Sequence, residues 1–124
     1  MKRIFNFYIL ILILILSGCW KDEIDRSFYS NGNLKTEAYV LNGLLNGQAS
    51  MYYEDGTKWT QAYYKKGILN GPSKLFYPNG NLKSEASYKN GYLHGLSRSY
   101  LENGDKLDEV YFANGRLSIL EPKE

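Results

Sequence analysis

Three columns of glycine at a spacing of 24 residues constrain this chain of 124 residues more than any other feature. Gly32, Gly56, Gly80 and Gly104 form one column. Gly43, Gly67, Gly91 and Gly115 form a second, and Gly47, Gly71 and Gly95 a third. Ala38, Ala62 and Ala86 hold a parallel column that Val110 continues, and Leu45, Leu69, Leu93 and Leu117 hold another. Self-similarity at a fixed period marks a repeat architecture, in which each unit is one supersecondary element and buries its face only against its neighbours. The length allows one domain at most.

The unit reads as a hairpin. Asn31-Gly32, Asp55-Gly56, Asn79-Gly80 and Asn103-Gly104 are dipeptides favoured in two-residue hairpin turns, where both central residues need positive φ. Between turns the chain alternates: Ser84, Ala86 and Tyr88 fall on one side and Lys83, Glu85, Ser87 and Lys89 on the other, the period-two pattern of a half-buried strand. Asn90 to Gly95 reverses the chain again, with Gly91 and Gly95 for left-handed positions. The leucine column is expected to tuck over the sheet edge, and Leu96 to Leu101 forms the returning strand. The predicted fold is all-β, an antiparallel meander of repeated hairpins in one elongated layer. About 3.5 repeats of 24 residues occupy 28–120. The incomplete fourth unit, Tyr100 to Leu120, serves as a terminal cap, and 121–124 is a tail that frays. The 12 tyrosines suit short strands better than helices.

The first residues carry a different signal. Lys2 and Arg3 precede the apolar run Tyr8 to Leu16, and small residues and Cys19 follow, the layout of a secretory signal peptide over 1–18 with an N-terminal signal helix. The run is too short for a membrane span, which takes about 20 residues. Leu16-Ser17-Gly18-Cys19 resembles the bacterial lipobox. That resemblance implies cleavage before Cys19 and lipid on its thiol and new amine, so the expected location is the bacterial cell envelope, lipid-anchored. Residues 19–27 are charged and aperiodic and read as a lipidated tether. Without Lys2 and Arg3, the 15 basic residues become 13, matching the 13 acidic ones. A neutral chain of mixed sign lacks the basic patch of a nucleic-acid binder.

The units resemble MORN repeats. Glu85-Ala86-Ser87-Tyr88-Lys89-Asn90-Gly91-Tyr92-Leu93-His94-Gly95 follows that pattern closely, and Tyr53-Glu54-Asp55-Gly56 matches its closing Y-x-D-G. The departures are regular: Ala38, Ala62 and Ala86 stand where the family has its first glycine, and Ala49, Ser73 and Ser97 where it has the next. This version, K-x-E-A-x-Y-K-N-G, is similar to the bacterial MORN-variant proteins grouped under the YwqK-type antitoxin label. The resemblance covers Phe28 to about Leu117. It implies a single-layer sheet used for protein contacts, membrane apposition or lipid head-group binding.

Enzyme chemistry finds no footing in the sequence. His94 is the only histidine and occupies the turn column of Asn46 and Asn70. One histidine and a lipidated cysteine make no nucleophile–base pair and no zinc cluster. Glu37, Glu85 and Glu109 share a column with Gln61 between them, which fits a solvent-facing row better than the paired carboxylates of a glycosidase. No metal or cofactor is expected, and the chain reads as a non-enzyme. What remains is aromatic. Alternation sends Phe28, Tyr52, Phe76 and Tyr100, with Tyr39, Tyr63 and Tyr111, to the face opposite Tyr53, Tyr77, Met51, Leu75, Tyr64, Tyr88 and Phe112. The first set is the candidate partner-binding surface, with Glu37, Lys74, Glu85 and Arg98 as a polar rim. The expected function is that of a membrane-anchored, protein-binding lipoprotein with an antitoxin-like or immunity role. The alternative is binding of lipid head groups or cell-wall glycan.

Overall fold

The computed structural model describes residues 21–118. Their strands are β1 (Asp22–Phe28), β2 (Leu34–Leu41), β3 (Leu44–Tyr52), β4 (Lys58–Lys65) and β5 (Ile68–Phe76), then β6 (Leu82–Lys89), β7 (Tyr92–Leu93), β8 (Gly95–Tyr100), β9 (Lys106–Ala113) and β10 (Arg116–Ser118). Every pairing is antiparallel and, apart from β6 with β8, joins neighbours in sequence, so the described residues form an open meander with no helix among them. His94 interrupts the strand shared by β7 and β8, both of which pair with β6. The all-β expectation holds. The predicted signal helix, Cys19 and the 121–124 tail lie outside the described residues.

Two kinds of turn alternate along the two long edges, and sequence reading had them the wrong way round. Asn42-Gly43, Lys66-Gly67, Asn90-Gly91 and Asn114-Gly115 are the two-residue turns, with both central residues at positive φ. They join directly paired residues such as Lys65 and Ile68. At the other edge only Gly32, Gly56, Gly80 and Gly104 are left-handed. There the amide of Gly32 donates to the Tyr29 carbonyl and the amide of Tyr29 to that of Asn33, a three-residue loop closed by a glycine bulge. The Asx side chain folds back inside each loop: Asn31 Oδ1 accepts from the Asn33 amide, and Asp55 Oδ1 from the Thr57 amide at 2.8 Å. That bond, with one from the Thr57 side chain, holds the Asp55 carboxyl below its ordinary pKa.

The third glycine column answers a close approach. The β2–β3 register breaks between Ala38 and Val40: the single residue Tyr39 faces Asn46, Gly47 and Gln48, so β3 bulges at its glycine. A Cβ on Gly47 would lie 3.0 Å from the Tyr39 Cβ, and one on Gly71 3.0 Å from that of Tyr63, both at strongly positive φ. The leucine column is not folded over an edge. Leu45, Leu69 and Leu93 lie in the ladder opposite Val40, Tyr64 and Tyr88, where neighbouring strands need apolar partners.

Successive units are tied by hydrogen bonds that repeat with the period. The Tyr29, Tyr53 and Tyr77 hydroxyls donate to the carbonyls of Tyr52, Phe76 and Tyr100, each one unit ahead. Asn33 and Asn81 side chains do the same to Glu54 and Glu102. Leu101 holds the next place in the tyrosine column and has no hydroxyl to pass forward, which suits a terminal unit. A single layer buries little: Ala62 and Ser50 are the buried residues among those described. Stability therefore resides in ladder bonds and cross-strand packing rather than in a core.

The segment expected to tether the sheet is part of it. Asp22 to Phe28 pairs along β2 from Asp22↔Leu41 to Phe28↔Leu34. Its side chains are all exposed, so it carries no burial periodicity for sequence reading to detect.

Candidate partner-binding face

Residues directly opposite one another across an antiparallel pair share a face. One such row crosses eight strands without a break: Arg26, Glu37, Ser50, Gln61, Lys74, Glu85, Arg98 and Glu109. The neighbouring row, on the opposite face, is small: Asp25, Ala38, Ala49, Ala62, Ser73 and Ala86. The small row runs along the middle of one face and the polar row along the middle of the other.

Phe28, Tyr52, Phe76 and Tyr100 each stand two residues beyond a member of the polar row on the same strand. Tyr39, Tyr63 and Tyr111 likewise follow Glu37, Gln61 and Glu109. The seven aromatic residues named from the sequence therefore share the polar face. The structure alters their relation to the charges. Glu37, Lys74, Glu85 and Arg98 do not rim the rings; they run between two aromatic columns as a spine. Phe28 is 59% exposed and Tyr39 45%, while Tyr52, Tyr63, Phe76, Tyr100 and Tyr111 are half-buried. Ser87 leaves a gap in the second column.

Two of the rings are held by hydrogen bonds from their hydroxyls. The Tyr63 hydroxyl donates to Gln48 Oε1 at 2.9 Å, and that of Tyr100 to Glu85 Oε1 at 3.0 Å. Lys58 Nζ lies 5.9 Å from the centroid of the Tyr52 ring and donates to Gln61 Oε1. Gln61 in turn donates to Gln48, and Gln48 to Ser50, the most buried polar group described, at 2% exposure. The hydrogen bonds explain why a hydroxyl and two amides stand in the middle of the sheet: each has a partner, so their partial burial costs little.

Arg98 is the electrostatic hub. Its Nε donates to Glu109 and its Nη1 to Glu85 at 3.2 Å. The bond to Glu109 raises the guanidinium pKa and lowers that of the Glu109 carboxyl, where Lys106 adds attraction. Partial desolvation, then the Glu85 contact, raises the Tyr100 phenol. Arg26 and Glu37 form a second pair at 2.7 Å. The linkage sign follows from the direction of the Glu109 shift. A carboxyl lowered in the folded state stabilises it above the ordinary carboxylate pKa of about 4.3. That stabilisation is lost as pH falls through the lowered value. Glu109→Gln is thus expected to lower the urea midpoint at neutral pH, with the gap to wild type closing in strong acid. A gap that persists in acid would show that the side chain acts through packing.

Among the described residues no group of His, Cys, Asp and Glu is placed to hold a metal. His94 sits where Asn46 and Asn70 accept bonds from the amides of Lys66 and Asn90, and its own Nδ1 is buried without a partner. It belongs to the turn column, as its place in the repeat suggested.

An open antiparallel meander of repeated hairpins, with a polar row between two aromatic columns on one face, defines the class of fold. Within that class, residues 26–42, 45–66 and 69–90 match the family model described as "MORN repeat variant". The chain carries MORN-variant repeats in those three stretches. No curated protein matches the chain. Among solved structures it is similar to a point mutant of S. aureus TarM, crystallised in complex with fondaparinux, alpha-GlcNAc-glycerol and UDP. Identity there is 12% and TM-score 0.46, over 90% of this chain and 23% of that one.

Proposed function

We propose that this chain is a protein-binding module of the bacterial envelope, lipid-anchored through Cys19, that captures its partner on the face bearing Phe28, Tyr52, Phe76 and Tyr100. The observation that carries this reading is that aromatic column, laid beside a hydrogen-bonded charged spine on a sheet that nothing covers among the described residues. Interfaces concentrate binding in aromatic and arginine side chains with water-excluding surroundings. Here Tyr63 and Tyr100 are pre-positioned by hydrogen bonds to Gln48 and Glu85, so ordering them on binding costs little conformational entropy. Successive rings of the column are two strands apart, roughly 10 Å, which leaves slots for side chains of a partner. An antitoxin-like or immunity role is the finer form of this reading, with no chemistry performed on the partner.

Tyr52 and Phe76 are nearest the middle of the column. Tyr52→Ser with Phe76→Ser is expected to cut capture of the partner from the protein's own membranes at least tenfold, as loss of two central anchors does. The double variant should keep its β-sheet circular dichroism. A folded double variant that captures normally would move the site to the loops, and an unfolded one would make the rings structural.

A further inference from the structure

We propose that the notch at Ser87 on the polar–aromatic face is a socket for a tyrosine side chain presented by the protein partner, which rests on the reading of that face as the binding surface. In the other units the equivalent places are filled by tyrosines of the chain itself, Tyr39, Tyr63 and Tyr111.

One row of directly opposed residues crosses the face at this level. Gln48 stands opposite Tyr63, Pro72 opposite Ser87, and Leu96 opposite Tyr111. Gln48 has a ring on both sides, Tyr39 and Tyr63, and is half-buried. Pro72 and Leu96 each have a ring on one side and Ser87 on the other, and both are exposed, Leu96 by 38%. Two apolar side chains are thus left open where the repeat elsewhere covers their neighbour.

The backbone opens at the same place. A Cβ on Gly47 or Gly71 would lie 3.0 Å from the Cβ of Tyr39 or Tyr63, but one on Gly95 would meet nothing within 4 Å, the Ser87 side chain included. His94 separates β7 from β8 there, and its amide donates to the Ser87 carbonyl. Its Nδ1 lacks the turn amide that Asn46 and Asn70 accept in the same place. The close contact that shuts the slot in the first two units is relaxed in the third.

The result is a notch of about 160 Å³ with Pro72 and Leu96 as walls, Ser87 at the floor, and Lys74, Glu85 and Arg98 along the side of the spine. Small-molecule pockets run to about 300–1,000 Å³, whereas a cavity of about 150 Å³ takes one benzene ring. The walls stand two strands apart, roughly 10 Å, which leaves the thickness of one ring between their side chains.

The polar side of the notch favours a phenol over a phenyl. Arg98 is engaged by Glu109 and Glu85. Lys74 has no ion-pair partner among the described residues. Glu85 accepts from Arg98 and Tyr100 on Oε1, and its Oε2 has no partner among the described residues. A tyrosine entering tip first sets its ring between two apolar walls and its hydroxyl beside a free donor and a free acceptor. Aromatic side chains seated in such pockets carry much of the energy of an interface.

The test titrates N-acetyl-tyrosinamide into the isotope-labelled full chain in detergent, with N-acetyl-phenylalaninamide and N-acetylglucosamine as comparisons. Amide shifts should centre on Ser87 and Leu96. The tyrosine probe should bind about fivefold more tightly than the phenylalanine probe, the contribution of one hydrogen bond. Ser87→Tyr fills the socket from within and should abolish the shifts without lowering the urea midpoint. Leu96→Ser removes a wall without adding bulk, and should weaken the tyrosine probe while the β-sheet circular dichroism stays unchanged. Shifts spread over the whole face, equal binding of the two amino-acid amides, or shifts that survive both variants would overturn the proposal. So would a preference for the sugar, which would make the notch a glycan subsite. Partner capture from the protein's own membranes tests the socket against the face as a whole. Ser87→Tyr and the Tyr52→Ser/Phe76→Ser variant should both lose the partner. Normal capture by Ser87→Tyr alone would overturn the socket and leave the face standing, and normal capture by both would overturn the face as well.

Discussion

Gly71→Val is expected to remove most of the stability of the sheet. The residue has φ +127, and its added Cβ would lie 3.0 Å from the Tyr63 Cβ. That neighbour is fixed to the backbone of the adjacent strand and cannot swing aside. Forcing a side chain into such a gap typically costs about 1–3 kcal/mol, and holding a β-branched residue in that backbone region about 1–3 kcal/mol more. Small domains have only about 5–15 kcal/mol to lose, and a sheet with two buried residues described belongs at the low end. Gly56→Val is the control, because Gly56 has φ +89 but nothing within 4 Å of an added Cβ. Urea melts should show an intermediate shift for Gly56→Val, which carries the backbone strain without the clash, and no cooperative transition for Gly71→Val. A near-normal melt for the latter would mean that the bulge at Gly71 relaxes, and that the third glycine column has another cause.

That column illustrates what could and could not be read from the residues. The period of 24 was visible at once, and with it the hairpin unit, the meander and the sorting of rings between faces, because side-chain direction in a strand alternates strictly. The cause of the Gly47 and Gly71 positions was hidden, since it lies in a bulge defined only by the register with the neighbouring strand and in the close approach of Tyr39 and Tyr63. The turn types were also hidden. Asn-Gly occurs at both edges, and only loop length, a property of the pairing register, separates a two-residue turn from a three-residue loop. Lys66 adopts φ +51 where its counterparts are asparagines, which no composition rule would offer. β1 escaped because a terminal strand is recruited by backbone bonding and needs no apolar alternation. The polar spine was legible as a glutamate column. Its position between the aromatic columns, and the bonds from Arg98 and Gln61, appear only once the strands are in register.

Duplicating residues 53–76 is expected to give a larger, more stable sheet. The insertion adds one whole period, so Tyr52 still precedes a Tyr53-type loop and each inter-unit bond finds its partner. In a linear repeat protein stability is nearly a sum of unit and nearest-neighbour contributions. The added hairpin contributes two strands and one new interface, including a further tyrosine hydroxyl on a carbonyl like that of Phe76. The urea midpoint should rise and the slope of the transition should grow by roughly a quarter, in proportion to the surface buried. Duplicating 65–76 alone inserts a single strand, reverses the direction of everything after it and misaligns the Asn and Tyr columns. That variant should be poorly folded. If both duplications were equally stable, the 24-residue hairpin would not be the cooperative unit.

The claim that the polar–aromatic face holds the partner is tested most directly by trapping from adjacent residues. Met51 and Tyr52 follow one another in β3 and point to opposite faces, as do Leu75 and Phe76 in β5. A photoreactive amino acid placed at each of these four positions, in the full chain in its own membranes, samples both faces at the same depth of the sheet. Illumination should yield one and the same protein adduct from positions 52 and 76 and none from 51 and 75. Adducts from 51 and 75 instead, or from all four alike, would contradict the assignment of the binding face.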